Sequence, residues 1–255
     1  MKSTFFATIL ALFVLASPAS SQDAVPKKLP TTDTDEARWE RVVGLQTKLN
    51  NDTRFASGFL VEEDDDIYLV TAKHAANETN GETRLLFVNR QGVSRWFLLR
   101  GLFVPGKSPW VFHDHADLAV AKLAPPESTE ETMQAMRDVT IDIDRFADDL
   151  PKRTTEIEFV GFPMAKGIGP NMSALVIPGH LVSKELSKKG DWGQTPIAYA
   201  VPAVGAGASG SPAYDVTATP PRVIGVYVAV TQDKTGAKLS ELVPARLVLK
   251  LIQAW

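Results

Sequence analysis

From Trp39 onward the chain alternates short apolar, β-branched and aromatic runs with polar clusters. The runs RVVGLQTKL, RFASGFLVEE, DIYLVTA, TRLLFVN, SRWFLLRGLFV and LAVAKL are separated by NND, EEDDD, NETNGE and NRQG. Such runs, bounded by Asn, Asp and Gly, predict strands, and six of them in succession predict one antiparallel barrel over residues 39–124. The stretch APPESTEETMQAMRDVTIDIDRFADDLPKR breaks this rhythm with prolines, acids and weak helical spacing at Met133, Met136 and Val139, and reads as an inter-barrel connection over 125–153. Strand signals resume in TEIEFVGFP, SALVIPGHLVSKEL, PIAYAVPA, SPAYDV and RVIGVYVAV, and VPARLVLKLIQAW then turns to helical spacing. The expected fold class is all-β, with a second barrel and a C-terminal helix over 154–255. No internal repeat interrupts this order.

Composition narrows the function classes. The 255 residues are 44% hydrophobic, enough for sizeable cores, and a net charge of -3 offers no cationic excess for nucleic acid or an anionic membrane surface. At the N-terminus, Lys2 precedes an apolar run from Phe5 to Ala16 and then small residues, which reads as a signal peptide over 1–19, cleaved after Ala19. Its run is too short to span a bilayer, so no membrane contact is expected once it is removed, and the mature chain is expected to be secreted or periplasmic. Residues 20–38 are polar and proline-bearing and read as a flexible leader. Without cysteine the chain has no disulfide, no thiolate nucleophile and no cysteine-ligated metal. Asn51, Asn77 and Asn171 each begin a glycosylation sequon that matters only in a eukaryotic secretory pathway.

The stretch HDHADLAV has two readings. His113, His115 and Asp117 follow a metal-ligand-like H-x-H-x-D spacing, but Leu118 stands where a further histidine would be expected, and only His74 and His180 remain to complete a site. No metal or other cofactor is therefore expected. In the second reading only Asp117 acts, by orienting a histidine elsewhere. His74 lies just past the strand DIYLVTA, and VGAGASGSP surrounds Ser209 with Gly205, Gly207 and Gly210, a backbone able to turn tightly and present N–H groups. The order His74, Asp117, Ser209, with intervals of 43 and 92 residues, is close to the roughly 45 and 93 of a Ser-His-Asp triad in its chymotrypsin-like order.

On SGFL…YLVTAKHAA, ADLAVAKL, VGFP…GHLVS, GASGSP…VIGVYVAV and VPARLV, the sequence resembles the trypsin-like serine peptidases, particularly the bacterial branch with HtrA/Deg proteases and V8-type glutamyl endopeptidases. The resemblance spans about Arg41 to Leu249. It implies two antiparallel six-stranded barrels with the site between them, and hydrolysis of protein or peptide substrates through an acyl-enzyme. It puts the nucleophile on Ser209, the base on His74, the orienting carboxylate on Asp117 and the oxyanion donors on the N–H groups of Gly207 and Ser209. Seven residues follow VPARLV, so no PDZ module is expected in this chain.

Departures from the family pattern bear on specificity and activation. Ala208 replaces the aspartate that pairs with a new N-terminus in animal zymogens, and Ser211 replaces a common glycine. VIGVYVAV lacks the histidine of glutamyl-specific enzymes, and Ala203 replaces the trypsin pocket-base aspartate. The alignment puts Ala203 and Val204 near the pocket base and Val228, Ala229 and Val230 at its wall. None is charged, so cleavage after small or medium aliphatic residues is expected unless Lys184 or Asp191 reaches in. The competing reading is a trypsin-like binding or scaffolding module with little turnover.

Overall fold

The computed structural model of the protein describes residues 35–50, 52–103, 109–124 and 130–255. The expected signal peptide, most of the leader, Asn51 and the opening of the 125–153 connection lie outside the described residues.

Eight strands form the first sheet: β1 Val43–Leu49, β2 Asp52–Glu63, β3 Asp66–Thr71, β4 Arg84–Val88, β5 Ser94–Leu98, β6 Val111–Phe112, β7 Ala119–Leu123 and β8 Thr140–Asp142. Their order is β5-β4-β1-β2-β3-β7-β6, with β8 parallel to β2. The β2–β3 hairpin closes at Glu63 opposite Asp66, where Asp64 takes the left-handed φ of 53° that aspartate tolerates in turns. Beyond β5 and β7, the Ala124 N–H donates to the Leu102 carbonyl at 2.8 Å and draws the two ends of the sheet together.

Seven strands form the second sheet: β9 Glu156–Gly161, β10 Leu175–Leu181, β11 Leu186–Gly190, β12 Gly193–Val201, β13 Pro212–Asp215, β14 Arg222–Gln232 and β15 Lys238–Pro244. The order β10-β9-β13-β14-β15-β12-β11, with β10 also paired to β12, closes six strands into a ring. β11 extends from that ring as a hairpin with β12. Among the described residues four α-helices accompany the sheets: α1 Asp35–Trp39, α2 Lys73–Glu78, α3 Glu130–Arg137 and α4 Arg246–Ile252.

Burial explains why several strands read as continuous apolar runs. Leu45, Leu60, Leu69 and Phe87 fill the first sheet's interior, and Phe159, Ala198, Ile224 and Tyr227 fill the second. A third cluster lies between the sheets, where Phe59, Val61 and Val70 meet Phe162, Val226, Val228 and α4 residues Leu247 and Val248. Along β2 the period-two side-chain alternation sends Phe59 and Val61 to the third cluster and Leu60 to the first. Both faces are covered, so apolar residues stand at successive positions.

The 125–153 segment is more than a connection. Its weak helical spacing becomes α3, whose Met136, with Val139 just beyond, packs into the first sheet's interior, and β8 then pairs with β2. Two apolar positions three residues apart suffice once a sheet opening waits to receive them.

Phe59 is fully buried, with its ring 6.0 Å from that of Phe146. Phe59→Ala should lower stability by about 3–5 kcal/mol and shift the chemical-denaturation midpoint accordingly. An unchanged midpoint would contradict this account of the inter-sheet core.

Candidate active site

His74 and Asp117 are both held by segments that join strands of the first sheet. His74 is the second residue of α2, immediately after β3 ends, and Asp117 sits on the turn between β6 and β7. Asp117 accepts the His74 backbone N–H at 2.9 Å and faces His74 Nδ1 at 2.7 Å. A carboxylate only accepts, so the proton lies on Nδ1 and Nε2 of the neutral ring keeps its lone pair. Burial pushes the His74 pKa down, but the hydrogen bond and charge of Asp117, with Glu78 adding to them, outweigh burial and hold it above the ordinary value.

The turn that presents Asp117 is shaped by its own histidines. His113 Nδ1 accepts from the N–H groups of His115 and Ala116, and Lys73 Nζ donates to the His113 carbonyl. Burial, the largest influence on His113, lowers its pKa, in keeping with a ring nitrogen that accepts two bonds. His115 Nδ1 lies 3.1 Å from the Trp192 carbonyl, and Thr195 Oγ1 donates to the His115 carbonyl. These imidazoles tie the turn to itself and to the β11–β12 hairpin, and they do not converge on a shared point with Asp117.

The second sheet supplies the loop around Ser209. The Ala206 carbonyl accepts from Met164 N–H. The C=O and N–H of a trans peptide point opposite ways, so the Gly207 N–H is turned away from that contact. Neither Gly207 N–H nor Ser209 N–H meets an acceptor among the described residues, which leaves two donors free in adjacent turns. Gly207 has φ +89°, and a Cβ there would lie 2.8 Å from the Phe162 carbonyl, so only glycine fits. The opposing turn is strained, because Met164 and Ala165 both take φ of 55° without being glycine.

Ser57 of β2 joins this loop to the first sheet. Its N–H donates to the Ser209 carbonyl at 2.9 Å, and its hydroxyl donates to the Gly207 carbonyl at 2.9 Å while accepting the Phe162 N–H at 3.0 Å. Nothing in the composition singles out Ser57; its only sequence signal is its place in SGFL. The Ser209 hydroxyl lies 3.4 Å from the Val228 carbonyl, and no hydrogen bond joins it to His74.

A cleft of about 520 Å³ runs beside the His74–Asp117 pair. Of the residues that the resemblance puts at the pocket, Val228 and Ala229 line this cleft, whereas Ala203, Val204 and Val230 do not. Val204 is buried, with its N–H donating to Ser240 Oγ and its carbonyl accepting from Tyr227. Burial and the Glu241 charge push the Tyr227 phenol up to about 12, so it stays a donor. The cleft wall also carries charge: Asp191, named from the sequence as a residue that could reach in, lines it, and Lys188 Nζ lies 2.5 Å from Glu241. These residues come from a hairpin and a strand far apart in the chain, beyond the reach of any local pattern.

A family model described as "Trypsin-like peptidase domain" matches residues 56–226. No curated protein sequence matches the chain significantly. Among solved structures, the MamO protease domain from Magnetospirillum magneticum is similar at TM-score 0.56 and 16% identity, covering 84% of this chain and 96% of that one. The active form of the Rv3671c protease from M. tuberculosis is similar at TM-score 0.54 and 16% identity, over 85% of this chain and 81% of that one. A scabies mite inactivated protease paralogue is similar at TM-score 0.58 and 14% identity, over 87% and 96%. At these identities the likeness is one of fold, the chymotrypsin-like double barrel.

The raised His74 pKa depends on Asp117, so Asp117→Asn should move it down, as followed by NMR titration of the His74 ring. A raised folded-state pKa contributes stability that is present below the unfolded pKa and lost as pH rises through the folded one. The variant should therefore lose more stability near about pH 5 than near about pH 8. An unshifted His74 titration would contradict the pairing.

Proposed function

The chain belongs to the trypsin-like peptidase domain family, and from that premise we propose that it is an exported serine endopeptidase acting through an acyl-enzyme. The observation that carries the reading is the His74–Asp117 hydrogen bond, which leaves Nε2 unprotonated on the side available to a hydroxyl. In the proposed reaction His74 Nε2 takes the Ser209 proton as Oγ bonds the scissile carbonyl carbon, and the carbonyl electron pair moves onto oxygen. The free N–H groups of Gly207 and Ser209 bind that oxyanion, each such donor contributing on the order of 3 kcal/mol to the lowered barrier. When the C–N bond breaks, the imidazolium returns its proton to the leaving nitrogen, and water repeats the sequence on the acyl-enzyme. The Ser209 hydroxyl must first rotate from Val228 toward His74, a change that commonly accompanies substrate binding.

The proposed domain plan is a signal peptide over 1–19, a leader over 20–38, barrels over 39–124 and 154–255, and a connection over 125–153. Among the described residues no helix is long and apolar enough to cross a membrane. A second reading, a binding module with little turnover, draws on the Ser209 hydroxyl facing Val228 rather than His74.

A fluorophosphonate probe with casein hydrolysis separates the two readings. The proposed enzyme should be labelled on Ser209, and Ser209→Ala should abolish labelling and lower hydrolysis by at least about a thousandfold. An unlabelled wild-type protein that still binds casein would favour the module.

For specificity, Lys188 and Glu241 neutralise each other and the other two charges of the wall away from the His74–Asp117 pair, Lys189 and Asp191, are of opposite sign, so we propose cleavage after Ala, Val or Leu, with differences on the order of tenfold per step. Lys188→Ala should leave the nearly buried Glu241 carboxylate without its counter-ion and turn a peptide-library profile toward Lys or Arg. A profile unchanged by that substitution would show that this pair does not meet substrate.

A further inference from the structure

A second groove, of about 430 Å³, lies on the outer face of the first sheet and is lined by Lys48, Thr53, Glu82, Arg84, Leu98 and Arg100 among others. Strand register builds it: Lys48 of β1 stands opposite Thr53 of β2, Gln46 of β1 opposite Arg84 of β4, and Arg84 opposite Leu98 of β5. Arg84 is held with its guanidinium 4.4 Å from the ring centroid of Trp96, an exposed tryptophan. Arg100 lies over the turn after α2, within 3.6 Å of where a Cβ on Gly81 would stand.

The charges of this groove are unbalanced. Elsewhere Arg54, Arg90, Lys122, Arg137 and Arg246 each meet an acid. Among the described residues Lys48, Arg84 and Arg100 form no ion pair, and Glu82 is the one acid in the groove wall. Three like charges around one concavity repel one another, and a bound anion relieves that repulsion. In a chain whose net charge is -3, the cluster stands out against its background.

The groove is also tied to the catalytic helix. α2 carries His74 near its start, and the turn at its end forms one wall, with Asn80 Nδ2 donating to the Lys48 carbonyl at 2.9 Å. Six helical residues span on the order of 9 Å, a distance that three or four extended residues of a bound polypeptide cover.

We infer that this groove is an exosite for an acidic stretch of a polypeptide substrate, whose carboxylates are taken up by Lys48, Arg84 and Arg100; the inference rests on the peptidase reading above. A polypeptide fits better than a sulfated polysaccharide, because Thr53, Gln46 and Leu98 lie between the cations and offer uncharged contacts to a peptide backbone and its aliphatic side-chain stems.

The test uses the full chain and fluorescent poly-L-glutamate, followed by anisotropy at low salt. Wild type should bind, with affinity falling as salt rises. The double substitution Arg84→Ala with Arg100→Ala should weaken binding about tenfold, and Lys48→Glu, at an exposed position, should do so independently. Arg84→Lys with Arg100→Lys should retain most of the binding, which separates charge from folding. Hydrolysis of a short neutral peptide should be unchanged in these variants, while the gain from adding an acidic tail to that peptide should disappear. Poly-L-glutamate binding that ignores all of these substitutions would overturn the inference, as would binding of dextran sulfate but not of poly-L-glutamate. A chain that fails to react with fluorophosphonate yet binds poly-L-glutamate through these residues would sink the peptidase reading while leaving the anion-binding groove intact.

Discussion

One buried serine carries the relation between the two sheets. The N–H and hydroxyl of Ser57 reach the carbonyls of Ser209 and Gly207 and the N–H of Phe162, while its own carbonyl accepts from Thr71 Oγ1 at 2.7 Å. Ser57 is fully buried, so water cannot substitute for any partner that moves. A displaced second sheet would strand several polar groups at once, each costing about 1–3 kcal/mol. The loop bearing Ser209 is thus held in register with β2, whose hairpin partner β3 leads into α2 and His74.

That constraint permits a division of labour. The first sheet holds an imidazole and a carboxylate by direct hydrogen bonds, and these set both the tautomer and the pKa direction of His74. The second sheet contributes mainly backbone: free N–H groups on a glycine-rich turn, kept facing one way by the Met164–Ala206 contact. The left-handed Met164 and Ala165 carry strain that a surface turn elsewhere would have no reason to keep. The charged pair Lys188–Glu241 then spans β11 and β15 to form part of the cleft wall.

What could be read from the sequence follows the range of each interaction. Period-two runs and turn clusters are local, and they correspond to β1 through β5, to β7 and to most of the second sheet, whereas the two-residue β6 is too short to leave such a run. His74, Asp117 and Ser209 stood out in the sequence through their order and spacing; the structure brings the first two into hydrogen-bond contact, while the Ser209 hydroxyl faces Val228. Less was legible where partners lie far apart. Lys188 and Glu241 are 53 residues apart, and Ser57 and Gly207 are 150 apart, so nothing local marks either pair. His113 and His115 have partners that sequence patterns do not display, since backbone N–H groups and a carbonyl meet their Nδ1 atoms. The burial of Val204 is similar: its neighbours in sequence suggest a pocket base, while Ser240 and Tyr227, brought in by strand pairing, pin it in the core.

Gly210 shows how closely folding and chemistry constrain each other here. It follows Ser209 with φ +93°, and a Cβ would stand 2.1 Å from the Ser57 carbonyl and 2.3 Å from Thr71 Oγ1. Both atoms belong to the first sheet, so the limit on this residue is set by the other half of the molecule rather than by its own loop. Its N–H donates to the Tyr227 carbonyl, on the strand whose next residue, Val228, faces the Ser209 hydroxyl. A side chain at 210 would therefore push the sheets apart at the place where Ser57 joins them, and would shift the hydroxyl relative to His74 in the same movement. The glycines that gave the Ser209 loop its signature in sequence are needed for two separate reasons, a left-handed turn that frees the N–H of Gly207 and a close sheet-to-sheet approach at Gly210, and only the first is visible without the fold.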